Sequence, residues 1–548
     1  MRYAIAITLM LGLSFGLINE SFRYQSTARL FEDDYDLLFD PARIPQIEGS
    51  RLWTSLSNFV TGNEQMFSNI SAPYILIGGS TNLNQWYPGF VYDRRASKNP
   101  LYTGLDDPFG NQMYGEGTRS EIDWEDDDNN GVFDRRVTET ESREAYDHIQ
   151  VNDFYVGIGT VRNDKRFGIG YSRVNYKNTA TDPNDNFTWD FTNENLNPNE
   201  ITYEGHALFG GDDIYKNNEN EFILSGWLDR EKMAIGLSAE VALLSWANEA
   251  IINGDSSLIS RINDTTTWFT GVTVLDSTDQ PRNGMRIAVE LKDFYDYNEY
   301  AQGRFYLRFF MENYDYADGA MSYYYNAREA LYADFTWDTT DNYTYYDGGG
   351  NEKGFTLGTK HLFEVSENFR FGLGAFFTMS STYDSTVARD TMVTVTTYDD
   401  NDGMTNDPDD FVQTVWSSET WMTRITGSSN SIMVPVGAEF QIANPVCFRL
   451  GAVHTLTYLD QSTVTNLIDF EPERTRTVDG TGAVTESMVD PGQEPVGSEE
   501  NTFNKIPSTD YYYGIGWKVN KNLQIDLMGF ANLTNLSNWR LSATLIFD

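Results

Sequence analysis

The oxygen-bearing residues between Asp126 and Asp134 have the spacing of a calcium-binding loop. In Asp126-Asp127-Asp128-Asn129-Asn130-Gly131-Val132-Phe133-Asp134, oxygens stand at loop positions 1, 3, 5 and 9, and a glycine stands at position 6. Carboxylates and amides wrap a hard cation from such positions, and the glycine makes the turn. The twelfth position is Val137 rather than glutamate, so the bidentate ligand is missing. We therefore predict that Asp126, Asp128, Asn130 and Asp134 bind calcium, with a solvated acidic loop as the alternative.

A second group of polar residues lies on two successive segments, residues 285–292 and 304–312. Every second residue of each segment is apolar, which predicts two strands with one apolar face each. A charge on a lipid-facing surface costs about 2–4 kcal/mol near the bilayer midplane, so the intervening polar residues should face inward. They are Arg286, Glu290, Lys292, Arg304, Tyr306, Arg308 and Glu312. We predict that they line a lumen, where they either orient a solute and seat a plug or pair with one another.

Catalytic chemistry has little support in this sequence. The four histidines stand far apart, at positions 148, 206, 361 and 454, outside any nucleophile or zinc motif. A single cysteine, Cys447, excludes intrachain disulfides and cysteine-based zinc sites. The net charge of −42 would repel phosphate, which argues against nucleic-acid binding. We predict that the chain is not an enzyme and, apart from calcium, has no cofactor.

Alternating apolar residues predict the architecture. In the last nine residues before Asp548, one face is formed by Trp539, Leu541, Ala543, Leu545 and Phe547. Aromatic residues end this face, at about the 9–11 residues that a bilayer-crossing strand needs. Short turns such as Asn163-Asp164-Lys165 alternate with long segments rich in aspartate, asparagine, threonine and glycine, namely residues 94–150, 177–218, 245–283, 316–353, 382–430 and 460–509.

This pattern predicts an all-β fold, a transmembrane antiparallel up-and-down β-barrel of 14–16 strands in the bacterial outer membrane. Its turns would be periplasmic and short, and its extracellular loops long and acidic. A large soluble sandwich is the competing architecture, but it would need more continuous apolar sequence at its centre. Glycine and serine recur on the face predicted to be inward, where they leave space instead of filling a core.

The start of the chain differs from the remainder. A basic residue followed by the apolar run from Ala4 to Leu17 predicts a secretory signal peptide, residues 1–21, with an approximate cleavage site. Residues 22–50 would then form a periplasmic N-terminal segment, and residues 51–548 the barrel.

Within residues 22–50, acidic residues, a hydrophobic patch and Asp40-Pro41-Ala42-Arg43 follow one another. This order resembles the N-terminal segment of FadL-type outer-membrane transporters of hydrophobic compounds, which usually have Asn-Pro-Ala-Gly at the corresponding place. The resemblance covers about fifteen residues and the general barrel pattern. It implies a hatch inside the barrel, formed with Asp33, Asp34, Asp40, Pro41 and Ala42; a periplasmic extension with one proline turn is the alternative.

Two functional hypotheses follow. The first is an outer-membrane channel or transporter for passive uptake of small or hydrophobic solutes, in contact with outer-membrane lipid. The second is a surface-structural or adhesive barrel that acts through calcium bound to its acidic loops. The substrate, the oligomeric state and any protein partner cannot be read from these residues.

Overall fold

A computed structural model describes residues 20–57, 75–107, 109–127, 129–196, 199–262, 265–316, 319–331, 334–400, 407–488, 495–530 and 539–547. The predicted signal peptide, residues 1–21, lies almost wholly outside these ranges and stays a prediction. None of the described helices has the length and apolar character that a membrane-spanning helix needs.

Strands dominate the described chain. In chain order they are β1 (Ser50–Ser57), β2 (Ile75–Ser80), β3 (Trp86–Pro100), β4 (Tyr102–Asp106), β5 (Gln112–Tyr114), β6 (Glu116–Glu125), β7 (Arg135–Glu144), β8 (Tyr146–Arg162), β9 (Lys165–Thr181), β10 (Phe187–Leu196), β11 (Asn199–Arg230), β12 (Met233–Ile262), β13 (Thr265–Asn298), β14 (Ala301–Tyr316), β15 (Gly319–Leu331), β16 (Asp334–Ser366), β17 (Phe369–Asp399), β18 (Phe411–Ala443), β19 (Val446–Asp479), β20 (Val484–Met488), β21 (Ser498–Asn520), β22 (Leu523–Phe530) and β23 (Trp539–Phe547).

The sheet closes on itself, because β1 pairs with β23 in antiparallel register from Ser50↔Phe547 to Ser57↔Arg540. Over the described residues, sixteen strands form the ring, each hydrogen-bonded to the next: β1, β2, β3, β8, β9, β11, β12, β13, β14, β16, β17, β18, β19, β21, β22 and β23. The predicted antiparallel β-barrel is confirmed, with a strand number at the upper end of the predicted range. Closure leaves no open sheet edge, as a bilayer requires.

The outer face of the ring carries an apolar belt. On β13 the side chains of Met285, Ile287, Val289 and Leu291 are exposed, and on β14 Phe305, Phe309 and Met311 are exposed. Ile287, for example, is 44% exposed although it stands in the middle of a long strand. Exposed apolar side chains in a continuous band are expected where acyl chains surround the protein.

The long connections consist largely of paired strand. β12 and β13 stay paired from Met233↔Tyr295 to Ile262↔Thr265, with one register shift between Ser260 and Arg261, so most of residues 245–283 continues the sheet. Higher up the wall, β15 pairs with β13 and β16, β10 with β11 and β7, β6 with β7, and β20 with β19; β4 and β5 form a separate two-stranded sheet. Both faces of these extensions meet water, so charged residues are compatible with strands there, and threonine, tyrosine and valine favour them.

Residues 20–49, called here the N-terminal segment, precede β1 and contain helices and turns instead of strands. They contain helix α1 (Phe22–Ser26), helix α2 (Asp34–Leu37) and a 3-10 turn (Ile44–Gln46). Ser21 caps α1 by accepting a hydrogen bond from the Tyr24 N–H. Asp33 and Asp36 form a reciprocal capping box on α2, which satisfies the amide groups at the start of this short helix.

Candidate functional site

The N-terminal segment packs against the inner face of the ring, close to the end with the short turns. Leu38, Ile44 and Ile47 are buried together with Trp53, Leu76, Val91 and Tyr155, which come from the wall strands β1, β2, β3 and β8. Alternate residues of a strand share a face, and the exposed neighbours of these wall residues form the outer belt. The segment therefore occupies the lumen at this end.

Pro41 and Ala42 fit against a part of the wall that has no side chains. A Cβ atom placed on Gly159 or Gly168 would overlap the carbonyl group of Pro41. Next to it, the Ala42 N–H donates a hydrogen bond to Ser225 Oγ at 2.9 Å, and Ala42 is fully buried. The glycines of β8 and β9 thus form a seat shaped for the backbone of residues 41–42.

Glu32 is the central charge of the segment. It accepts hydrogen bonds from Arg43 at 2.8 Å and from Arg304 on β14 at 2.7 Å. Burial disfavours the charged carboxylate, yet the guanidinium groups of Arg43 and Arg304 hold the pKa of Glu32 well below its ordinary value. Arg43, which occupies the position where the resembling family has glycine, also lies over the rings of Trp227 and Phe294. A buried carboxylate shared by two arginines links the segment to the wall.

Asp40 reaches two wall strands. It accepts a hydrogen bond from Trp227 Nε1 of β11 at 2.8 Å and faces the Lys292 ammonium of β13 at 3.7 Å. Although burial opposes the charge, Lys292 and Arg43 keep the pKa of Asp40 below its ordinary value. Asp40 therefore contacts the wall as an anion.

A second ionic cluster holds α1. Arg23 donates both of its fork nitrogens to Glu439 of β18, at 2.8 and 2.7 Å. Glu439 also accepts from Arg449 of β19 at 3.1 Å, and Arg449 donates to Asp526 of β22 at 2.5 Å. Four charges of alternating sign therefore connect the segment to three wall strands.

The other two acidic residues predicted for the hatch have separate roles. Asp33 caps α2, and Asp34 accepts a hydrogen bond from Arg51 of β1 at 2.9 Å. Burial, followed by the nearby Asp526 carboxylate, raises the pKa of Asp33 to about 6. Burial, followed by the neighbouring Asp33, also raises the pKa of Asp36 well above its ordinary value, so both carboxyl groups of the capping box bind a proton more tightly than a free aspartate.

The seven polar residues predicted to line the lumen are on neighbouring strands, but they divide into two levels. β13 and β14 pair directly, with Glu290 opposite Arg308 and Lys292 opposite Tyr306. At the lower level, Lys292 and Arg304 contact the N-terminal segment, Lys292 also pairs with Glu290 at 3.0 Å, and the Tyr306 ring lies 5.0 Å from Lys360 Nζ.

At the upper level, the expected partners differ from the observed ones. Arg286 contacts Glu219 and Glu221 of β11, and Arg308 pairs with Glu240 of β12 at 2.6 Å. Glu312 stands between Arg286 and Glu352 in the register. Seven charged wall residues of these clusters were not predicted from the sequence: Glu219, Glu221, Glu240, Lys360, Glu439, Arg449 and Asp526. A charge between two apolar residues, as at Ile525-Asp526-Leu527, is the signal that would have found several of them.

In the stretch from Asp126 to Asp134, side-chain oxygens accept hydrogen bonds from backbone N–H groups of the same stretch. Asp126 accepts from the N–H groups of Asn130 and Gly131 at 3.1 and 2.7 Å, and Asn130 Oδ1 accepts from Val132 at 2.8 Å. Asp134 accepts from the Asp127 N–H at 3.0 Å. Asp128 lies outside the described residues. Calcium binding here stays a prediction.

No family model matches the chain, and no curated protein matches its sequence. Among solved structures, the chain is similar to the FrpB iron transporter from Neisseria meningitidis (9% identity, 94% of this chain and 84% of that chain, TM-score 0.31). It is also similar to the toluene transporters TbuX from Ralstonia pickettii (9%, 97% and 99%, 0.31) and TodX from P. putida (9%, 97% and 99%, 0.32). At these scores the likenesses say nothing about what this chain carries. A closed sheet with an apolar outer belt is the architecture of outer-membrane proteins, and the chain is an outer-membrane β-barrel.

Proposed function

We propose that this barrel is a passive transporter of small or hydrophobic solutes, and that the N-terminal segment is a hatch which has to move before a solute can pass. The observation that carries the proposal is the set of buried ion pairs between the segment and the wall, with Glu32 held by Arg43 and Arg304.

Ion pairs suit a part that must be held and released. A core made only of apolar side chains would bind the segment without a specific register, whereas charge pairs fix its orientation. A buried charge whose partner is removed is destabilising, so the pairs also favour complete docking. Four side chains of the segment, Glu32, Asp34, Asp40 and Arg23, link it directly to β1, β11, β13, β14 and β18. A solute or a change in conditions that disturbs some of these links would shift the balance between docked and displaced states.

The test is the conductance of the purified protein in planar bilayers, with and without residues 27–48. The expected result is a small conductance for the whole protein and a large, steady conductance for the deletion variant, because the lumen loses its filling. Equal conductance of the two proteins would contradict the hatch. Heat-modifiable migration on gels checks that the deletion variant forms a barrel.

A further inference from the structure

A row of ring-bearing and amide side chains crosses the inner wall above the N-terminal segment. Register pairs connect Tyr176 of β9 to Asn217 of β11, Asn217 to Trp246 of β12, Trp246 to Arg282 of β13, and Arg282 to Tyr316 of β14. Each of the five shares its strand face with inward residues named above, such as Glu219, Glu240, Arg286 and Glu312. The five side chains therefore form one continuous band on the lumen wall.

The band lies at the outer end of the apolar belt. On β12, the exposed apolar residues of the belt run from Leu237 to Leu243, Trp246 follows three residues after Leu243, and the next exposed large apolar residue is Ile251. The segment contacts the same wall near the short turns, at the opposite end of the belt. A solute that arrives from outside would meet the band before it meets the segment.

Glycines let two of the neighbouring rings lie on the wall. A Cβ on Gly284 would come within 3.2 Å of the Trp246 ring, and one on Gly350 within 2.5 Å of the Tyr314 hydroxyl. The Trp246 and Tyr314 rings are 5.9 Å apart and nearly perpendicular. Both side chains are half-buried, so part of each ring is open to the lumen.

A carboxylate fixes Tyr316 of the band and the neighbouring Tyr314. Tyr314 and Tyr316 both donate to Asp384 Oδ2 of β17, at 2.6 and 3.2 Å, and Thr386 Oγ1 donates to Asp384 Oδ1 at 3.0 Å. The Arg282 guanidinium lies over the Tyr316 ring at 4.4 Å. The rings are thus held in place before any solute arrives, which lowers the entropic cost of binding.

Two amide oxygens of this region have unused hydrogen-bonding capacity. Asn217 Oδ1 in the band and Asn178 Oδ1, two residues along β9 from Tyr176, are buried and accept no hydrogen bond from the described residues. A buried acceptor without a donor is destabilising, because it loses the hydrogen bond that water would give it. Since an amide turns easily about its last torsion, a hydroxyl group in the lumen can satisfy such an oxygen.

We propose that this band, Tyr176, Asn217, Trp246, Arg282 and Tyr316, is a binding site for ring-shaped solutes that carry hydroxyl groups, such as sugars. Ring faces accept the apolar face of the solute, and the amide and guanidinium groups between them bind its hydroxyls. A hydrocarbon would leave those polar groups unpaired, so the site discriminates against it. This inference rests on the proposed transport function, since the solute has to enter the lumen.

The test is calorimetric titration of the whole, detergent-solubilised protein with maltose and, separately, with toluene. We expect maltose to bind, Trp246→Ala to weaken binding about tenfold through the lost ring contact, and Asn217→Leu to weaken it through the lost amide. Trp337→Ala is the matched control, because Trp337 is an exposed tryptophan of β16 outside the band. Unchanged migration on gels shows that the variants form barrels.

Two results would overturn the inference. One is maltose binding that is absent or equal in the wild type and Trp246→Ala. The other is toluene binding that Trp246→Ala weakens while maltose does not bind, which would make the band a hydrocarbon site. Conductance of the protein without residues 27–48 separates the two proposals: a conducting barrel that does not bind maltose contradicts only this site, and a barrel that never conducts contradicts the transport function.

Discussion

Two acidic stretches of this chain are similar in composition and different in their partners. Between Glu32 and Asp40, carboxylates contact arginine, lysine and tryptophan side chains of distant wall strands. Between Asp126 and Asp134, carboxylates accept hydrogen bonds from N–H groups at most seven residues away. The carboxylates of the first stretch bind side chains of the barrel wall, whereas the hydrogen bonds of the second stretch are local.

The difference shows what an acidic run does in each environment. In the lumen, water is largely displaced, so a carboxylate needs a cation, and the wall supplies one. In an exposed connection, water and the local backbone are sufficient, and a carboxylate adds little to the fold. Substitutions in the first stretch should therefore have larger effects than equivalent substitutions in the second.

The largest effect is expected from Glu32→Gln. The substitution leaves Arg43 and Arg304 buried opposite a neutral amide, and breaking a buried pair of this kind costs about 3–5 kcal/mol. The segment should dock less firmly, and bilayer recordings should show frequent openings. Glu364→Gln is the matched control, since its pair with Arg370 is largely exposed. If Glu32→Gln stays as closed as the control, the comparison between the two stretches fails.

A smaller effect is expected from pH, through Asp33. The pKa of this carboxyl is raised in the docked segment, to about 6, so docking takes up a proton and is favoured below that pH. As the pH rises from about 4 through 6, the proton is lost and docking weakens, because Arg23 offsets only part of the burial cost and the repulsion from Asp526. Openings should therefore become more frequent as the pH rises from about 4 to about 6.

Asp33→Asn is the variant that removes this titration, while Asp36, whose pKa burial also raises, keeps its own titration of the same sign. Asparagine still caps α2, and it carries no titratable proton. The pH dependence of opening should be flattened in this variant. A wild-type protein whose openings become rarer as the pH rises from about 4 to about 6 would contradict the sign of the prediction.

The smallest effect is expected at the calcium stretch. Asp126→Asn should leave barrel formation and conductance unchanged, because Asp126 lies in a connection outside the ring and, among the described residues, accepts hydrogen bonds from local backbone. If the predicted site exists, calorimetric titration of the whole protein with calcium will show millimolar or tighter binding that this variant weakens about tenfold. Asp123→Asn, on the adjacent strand β6, is the control. A wild-type protein that binds no calcium in this range shows that the loop is only solvated.

Local sequence predicted part of this structure well. The face of each residue on β13 and β14 followed from the two-residue period, because neighbouring side chains of a strand point to opposite sides. The closed barrel followed from the same period repeated along the chain. Sixteen strands lay within the predicted range, and the space left by inward glycines was anticipated. The resemblance implied a hatch inside the barrel, but the contact of Pro41 with Gly159 and Gly168 was not predicted.

Partners across the lumen could not be predicted in this way. Glu32 and Arg304 are separated by 272 residues, and Arg286 and Glu219 by 67. Their meeting depends on the register of every strand between them, which no local pattern encodes. Charge was also interpreted as a sign of loops in residues 245–283, whereas a wall with water on both sides accepts charge on either face of a strand.

The length of β13, 34 residues, has a mechanical consequence. At a rise of about 3.3 Å per residue such a strand measures about 110 Å, whereas an outer-membrane apolar band is about 25 Å tall. Even with the usual tilt, most of the strand extends beyond the bilayer as part of the hydrogen-bonded sheet. The outer opening of the barrel therefore lies on the order of tens of ångströms above the lipid surface. Molecules arriving from the medium reach this hydrogen-bonded rim before they reach the membrane.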